Sequence, residues 1–233
     1  MNYLEIPRLI DLSCVRTQSA MPELKEMVQL AKTYRFICVF AMPCFTPWLA
    51  DQIRDEPDIL LGGTTGFPSG ADSTEIKVTA ARRLTALGCQ EIDMVINVGA
   101  LKSGYDDIVK KDILAVKDAV GDIPLKTILE VSLLTDDEIR RGSLLAVEGG
   151  ASFVKTGTGW CGPTTLSHIR LIRETIGTSA KIKAAGGIRT LQTLEEMVEA
   201  GCSRFGIGVH SAASILKEAG LWKPETDDTE EVS

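Results

Sequence analysis

Residues 135–156 read TDDEIRRGSLLAVEGGASFVKT and hold one complete helix-to-strand unit. Thr135 followed three residues later by Glu138 is a capping-box pattern, which starts a helix over 135–148. Gly149 stands just past the helix end, where a left-handed residue is often needed. The short run 152–156 then reads as a strand. Outward from this unit the pattern recurs: Leu87-Gly88-Cys89 and Glu199-Ala200-Gly201-Cys202 stand before other strands, and Gly121 and Gly177 close two further helices. Eight strand-like runs result, over 9–12, 36–40, 59–64, 91–96, 125–129, 152–156, 181–184 and 204–207. Helix-favouring stretches follow over 22–34, 47–54, 73–87, 105–120, 135–148, 164–176, 190–200 and 211–219. Strict alternation predicts parallel pairing, so the fold class is α/β and the architecture a single-domain (β/α)8 TIM barrel over residues 1–222. A doubly wound open sheet is the other arrangement that alternation allows. Against it, the first strand-to-helix turn, Ser13-Cys14-Val15-Arg16, lacks the Gly-x-Gly-x-x-Gly fingerprint of a dinucleotide site.

Composition narrows the function classes. Over 233 residues, 44% hydrophobic and 24% charged describe an ordinary globular protein. Net charge is -7, and residues 223–233, with one lysine against five acids, read as a disordered acidic tail. Nucleic acid, which wants a basic face, is therefore not an expected partner. No apolar run approaches the roughly 18 residues of a spanning helix, and Glu5 interrupts the start before any hydrophobic stretch, so no membrane partner, no secretory signal and a cytoplasmic address are expected. Six scattered cysteines without a Cys-x-x-Cys pair, and two histidines apart at His168 and His210, predict reduced thiols and no metal. A homo-oligomer is expected, with the dimer as the commonest form.

In such a barrel, active groups stand at the carboxyl ends of strands. Asp93, Lys155 and Lys183 each lie within an apolar run that ends there. A charge inside an apolar strand needs a partner or a job. Two readings stay open: a structural ion network, or nucleophilic catalysis. A lysine is a nucleophile only when neutral, and burial plus a second ammonium lowers its pKa toward working pH. Two strand lysines with one carboxylate to move protons are the parts of a Schiff-base enzyme.

The segments that carry these residues also resemble the deoxyribose-phosphate aldolase family. They are Gly66-Phe67-Pro68-Ser69-Gly70-Ala71-Asp72-Ser73-Thr74-Glu75-Ile76-Lys77, then 91–97 with Gly99-Ala100-Leu101-Lys102-Ser103-Gly104, 153–156 and 183–190, in order within a likeness spanning about 10–215. The resemblance implies a class I aldolase without metal or cofactor, which reversibly cleaves 2-deoxy-D-ribose 5-phosphate to acetaldehyde and D-glyceraldehyde 3-phosphate. It implies Lys155 as the Schiff-base lysine and Asp93 with Lys183 as the proton-relay pair. It also sets Asp11, Cys38, Lys126, Thr156, Gly186, Gly187, Gly206 and Gly208 at substrate-binding positions.

Departures from the family concern the phosphate. Gly206-Ile207-Gly208-Val209-His210-Ser211 lacks two hydroxyls where the family has them, Trp160 stands where some relatives place a phosphate-facing lysine, and no tyrosine follows Trp222. Either backbone amides hold the phosphate, or the acceptor or donor differs and the acceptor lacks phosphate. A catalytically silent sugar-binding or protein-binding barrel is the remaining alternative. His210 and Trp160 are each open to a site role or a packing role.

Overall fold

A computed structural model describes residues 1–223. The β-branched runs form strands β1 (Ile10–Cys14), β2 (Cys38–Ala41), β3 (Leu60–Thr65), β4 (Glu91–Val95), β5 (Leu125–Ile128), β6 (Phe153–Lys155), β7 (Lys181–Ala185) and β8 (Arg204–Gly208). They pair in parallel in chain order, and β8 returns to β1 in a register from Ile10↔Phe205 to Ser13↔Gly208, closing the barrel. That last pairing excludes the open doubly wound sheet. The helices are α1 (Met21–Tyr34), α2 (Thr46–Gln52), α3 (Thr74–Ala86), α4 (Val98–Lys102), α5 (Asp106–Val120), α6 (Asp136–Glu148), α7 (Leu166–Ile176), α8 (Leu191–Glu199) and α9 (Val209–Glu218). No helix among the described residues is long and apolar enough to cross a membrane. Beyond Lys223, the acidic tail expected over 223–233 lies outside the described residues.

Local chemistry explains most boundaries. Thr135 and Glu138 form the expected reciprocal cap of α6. The residue with positive φ after α6 is Gly150 (φ 83°), not Gly149 (φ -77°), so the turn lies one position later than the sequence suggested. α4 was not expected: its five residues are too few for an amphipathic stripe, and it starts on the Asn97 side chain, which accepts from the Ala100 amide. α9 begins at Val209 instead of residue 211, because Gly208 ends β8 and caps the helix at once.

Alternation along the strands separates two interiors. Leu12, Val39, Ile92, Met94, Val154, Ile182 and Phe205 turn outward into the apolar layer under the helices. Full burial of such a side chain contributes about 1.5–3 kcal/mol. The alternate residues turn inward, and seven of them are both charged and buried: Asp11, Glu91, Asp93, Lys126, Lys155, Lys183 and Arg204. Phe40 also points inward. A Cβ on Gly62 would stand 2.2 Å from its ring, so a bare strand there is what lets the ring lie across the barrel, 4.4 Å from the Lys183 Nζ.

Candidate active site

The ions are arranged from the floor of the barrel to its mouth. At the floor, Arg204 donates to both oxygens of Glu91, at 3.1 and 3.2 Å, and to the Asp11 Oδ1 at 2.6 Å. Lys126 donates to the Asp11 Oδ2 at 2.6 Å and also to Glu91. One step higher, Lys183 lies 2.6 Å from the same Asp11 oxygen and donates to the Asp93 Oδ2 at 2.7 Å. At the top, Lys155 donates to that same Asp93 oxygen at 2.6 Å. Four cations thus face three carboxylates.

Burial and neighbours sort these groups. Burial first, then the ammonium groups of Lys183 and Lys126, bring the Lys155 amine down from 10.5 to about 8, against the opposing pull of Asp93. Burial alone would raise the Asp93 carboxyl, but Lys155, Lys183 and Lys126 override it and hold it well below the usual carboxylate range. Asp11 is held low in the same way by Lys126, Lys183 and Arg204. Despite burial, Asp11 and Asp93 hold the Lys126 ammonium above its ordinary range. Lys155 is therefore the cation that the network releases most readily.

Asp11, Thr64, Asp93, Lys155 and Lys183 line a cavity of about 30 Å³ at the carboxyl ends of the strands. Through Ser13, Val15, Thr158 and Gly206 it joins a wider mouth of about 490 Å³, where Gly186, Gly187, Gly208, Arg16 and Arg189 are found. A larger groove of about 630 Å³ between α2 and α3 contains none of the barrel's ions. Asp11, Cys38 and Glu91 place three ligand-type atoms within 4.8 Å of one another. Lys126 and Arg204 already occupy both carboxylates, and burial pushes the Cys38 thiol well above its ordinary range, so this trio is poorly suited to a metal.

The model of the DeoC/LacD family aldolases matches residues 15–217. This chain belongs to that family. The aldolase is 42% identical to deoxyribose-phosphate aldolase of Sinorhizobium medicae, over 92% of this chain and 87% of that one. With the enzyme of the same name from Bacillus cytotoxicus it shares 40% identity, over 93% and 98% of the two chains. A Coccidioides immitis structure provisionally assigned as that enzyme superposes with a TM-score of 0.90 at 32% identity, covering 95% of this chain and 88% of its own. An Aeropyrum pernix deoxyribose phosphate aldolase, described as tetrameric, shares the fold at 22% identity and a TM-score of 0.82, over 93% and 91%.

Within the aldolase, Lys155, Asp93 and Lys183 converge on one carboxylate oxygen, while Gly186, Gly187, Gly206 and Gly208 stand around the mouth. Three residues expected to bind substrate do not reach the cavity. Lys126 is fully buried under it and spent on carboxylates. Cys38 is fully buried on β2 at the level of Asp11. Thr156 follows Lys155 and so faces away, bonding Thr164 at 2.6 Å and the Ala185 amide at 3.0 Å. Trp160 braces the mouth: its indole donates to the Val15 carbonyl at 3.0 Å, and its ring meets Phe67 edge-on at 6.1 Å. His210 stands exposed at the mouth, 3.9 Å from Glu26.

Sequence reasoning missed Glu91, Arg204 and Glu130. Glu91 precedes Asp93 by two residues and Arg204 precedes Gly206 by two, so period-two alternation already put both on the inward face. Glu130 is buried in a left-handed conformation (φ 62°) and accepts from the Thr158 amide at 3.3 Å, fixing the loop after Lys155. A non-glycine with positive φ leaves no sequence signal.

Proposed function

We propose that this aldolase reversibly cleaves 2-deoxy-D-ribose 5-phosphate into acetaldehyde and D-glyceraldehyde 3-phosphate, through a Schiff base on Lys155. One observation carries the reading: among four cations facing three carboxylates, Lys155 is the one whose amine falls to about 8, at the top of the network and lining the cavity. Releasing its proton leaves three cations against three carboxylates, so the neutral nucleophile is also the charge-balanced state of the barrel. The amine adds to the substrate carbonyl and water leaves. The iminium draws electrons from the C–C bond while Asp93 takes the proton of the C3 hydroxyl, and the bond breaks to give an enamine and the aldehyde product. Asp93 and Lys183 then carry a proton to the enamine carbon, and hydrolysis returns acetaldehyde and the amine. Asp11, Lys126, Arg204 and Glu91 act from beneath, holding Asp93 and Lys183 in place.

Phosphate at the mouth is supported by three features. Gly186 (φ 102°) and Gly187 (φ 79°) adopt a backbone that other residues resist, and a Cβ on Gly186 would come within 2.8 Å of the Gly162 carbonyl. The N-terminus of α9 opens at Gly208 without a side-chain cap. Arg16 and Arg189 add positive charge at the rim. Gly208 and Val209 offer no side-chain hydroxyl, which supports a second reading, an acceptor without phosphate. A cytoplasmic homodimer in which residues 1–222 form the working unit completes the proposal, and light scattering tests the assembly.

Borohydride reduction in the presence of acetaldehyde, followed by peptide mass mapping, locates the adduct. The reading requires it on Lys155 and requires Lys155→Leu to abolish turnover, whereas a silent sugar-binding barrel would show no adduct. Comparing kcat/KM for 2-deoxyribose and its 5-phosphate decides between the two acceptors.

A further inference from the structure

The segment 66–77 supplies no ion to the barrel interior, yet its contacts converge on the end of the strand that carries Asp93. Lys77, fully buried on α3, donates to the Val95 carbonyl at 3.0 Å and to the Asp112 Oδ2 at 2.6 Å. Its own carbonyl accepts from the Thr65 hydroxyl at 2.9 Å. Gly66 turns the chain away at φ 64°, and a Cβ there would stand 2.8 Å from Lys77 Cε and 3.2 Å from the Val95 oxygen. Four residues on, a Cβ on Gly70 would overlap the Ile96 carbonyl oxygen. Between these two glycines lies Phe67, which lines the catalytic cavity.

At this end β4 is held unequally. On the β5 side its pairing runs on to Val95↔Ile128, but on the β3 side the last rung is Thr65↔Met94. The Lys77 ammonium takes over where β3 leaves, two residues past Asp93. Stability alone does not account for the arrangement: Asp112 Oδ1 is buried without a partner, and a buried ion pair often gives way to apolar side chains at no cost. Asp93, in contrast, needs a narrowly defined seat, because one of its oxygens meets Lys155 at 2.6 Å and Lys183 at 2.7 Å. Displacement of such a group by about 1 Å can cost about 100-fold in rate. We propose that Lys77 is a positioning residue: through the Val95 carbonyl it fixes the end of β4 and so sets Asp93 for proton transfer, while Asp112 keeps the Lys77 ammonium aimed there.

The inference rests on the Schiff-base reading of Lys155 with Asp93 as its proton carrier, and it separates two steps of that chemistry. Lys77 and Asp112 are a matched pair, so removing both leaves the net charge around Lys155 unchanged. Formation of the iminium, which needs only the neutral amine, should therefore continue. Transfer of the C2 proton between the bound acetaldehyde and Asp93 needs the carboxylate in place, and that step should slow.

Lys77→Met combined with Asp112→Leu, in the full chain, removes both charges and leaves neither buried alone. Borohydride trapping of acetaldehyde on Lys155 reads the first step. Proton NMR of exchange at C2 of acetaldehyde in D2O reads the first and second together, each rate being taken per folded protein by circular dichroism. The double variant is expected to trap within threefold of wild type and to exchange at least tenfold more slowly. Gly66→Ala presses on Lys77 and the Val95 carbonyl with the ion pair intact. It should show the same split, and it decides the matter if the double variant does not fold. Exchange within threefold of wild type, or trapping and exchange that fall in equal proportion, overturns the positioning role while leaving the Schiff base intact. No borohydride adduct on wild-type Lys155 overturns the Schiff-base reading, and this inference with it.

Discussion

Replacing Lys183 by Met removes a cation while keeping an unbranched side chain of similar length. Lys155 and Lys183 donate to the same Asp93 oxygen at 2.6 and 2.7 Å, which sets their nitrogens roughly 4–5 Å apart. At an effective dielectric constant of about 20, two unit charges at about 4 Å repel by about 4 kcal/mol, or about 3 pKa units. Asp93 and the open mouth screen roughly half of that, leaving about 1.5–2 units. The sign is fixed: loss of a like charge favours the protonated amine, and Asp93 becomes free to pair with Lys155 alone. The Lys155 midpoint therefore rises from about 8 to roughly 9.5–10. At about pH 7.5 the neutral fraction falls from about a quarter to about 1% or less, a loss of about 25- to 75-fold in adduct formation, recovered as pH increases. The assay is borohydride trapping of acetaldehyde on Lys155 across the pH range, with the acid limb of kcat/KM as a second readout. A midpoint that stays at or below the wild-type value would refute the reasoning, however inactive the variant.

Three further outcomes are expected. Arg204→Met strips Glu91 of a two-pronged partner and Asp11 of one, and should cost about 3–5 kcal/mol in urea unfolding; a loss below about 1 kcal/mol contradicts the floor's role. Gly186→Ala forces a Cβ to within 2.8 Å of the Gly162 carbonyl at φ 102°, and should raise KM for the 5-phosphate about tenfold more than KM for 2-deoxyribose; equal effects remove the phosphate from that turn. Asp11 and Asp93 are held below the unfolded value of 3.8, so their contribution to stability is complete above it and drains away as pH falls below it. Urea midpoints that do not drop between about pH 5 and about pH 3 would contradict that assignment.

What the sequence made legible was local. The cap at Thr135, the glycines after helices and the spacing of β-branched runs each act within a few residues, and together they dictate eight strand-helix units and a closed sheet. Lys155, Asp93 and Lys183 stood out because a charge in an apolar strand is costly. Their partners were harder to see, since Arg204 reaches Glu91 across 113 residues of chain and only barrel closure brings them together. Thr156 was misplaced despite a readable signal, because neighbours on a strand face opposite ways. His168, which formed no ligand cluster in the sequence, accepts from the Thr165 amide at 3.2 Å and caps α7, a role its type does not announce.

The ladder of ions from Arg204 to Lys155 also bears on behaviour in heat. Hydration of charged groups becomes less favourable as temperature rises, so the penalty for keeping seven of them dry shrinks on warming. The apolar layer under the helices gains no comparable advantage. In a warmed sample the staves should hold at their centre after the outer helices begin to fray, and the Lys155 pocket should be among the last parts of the molecule to lose its shape.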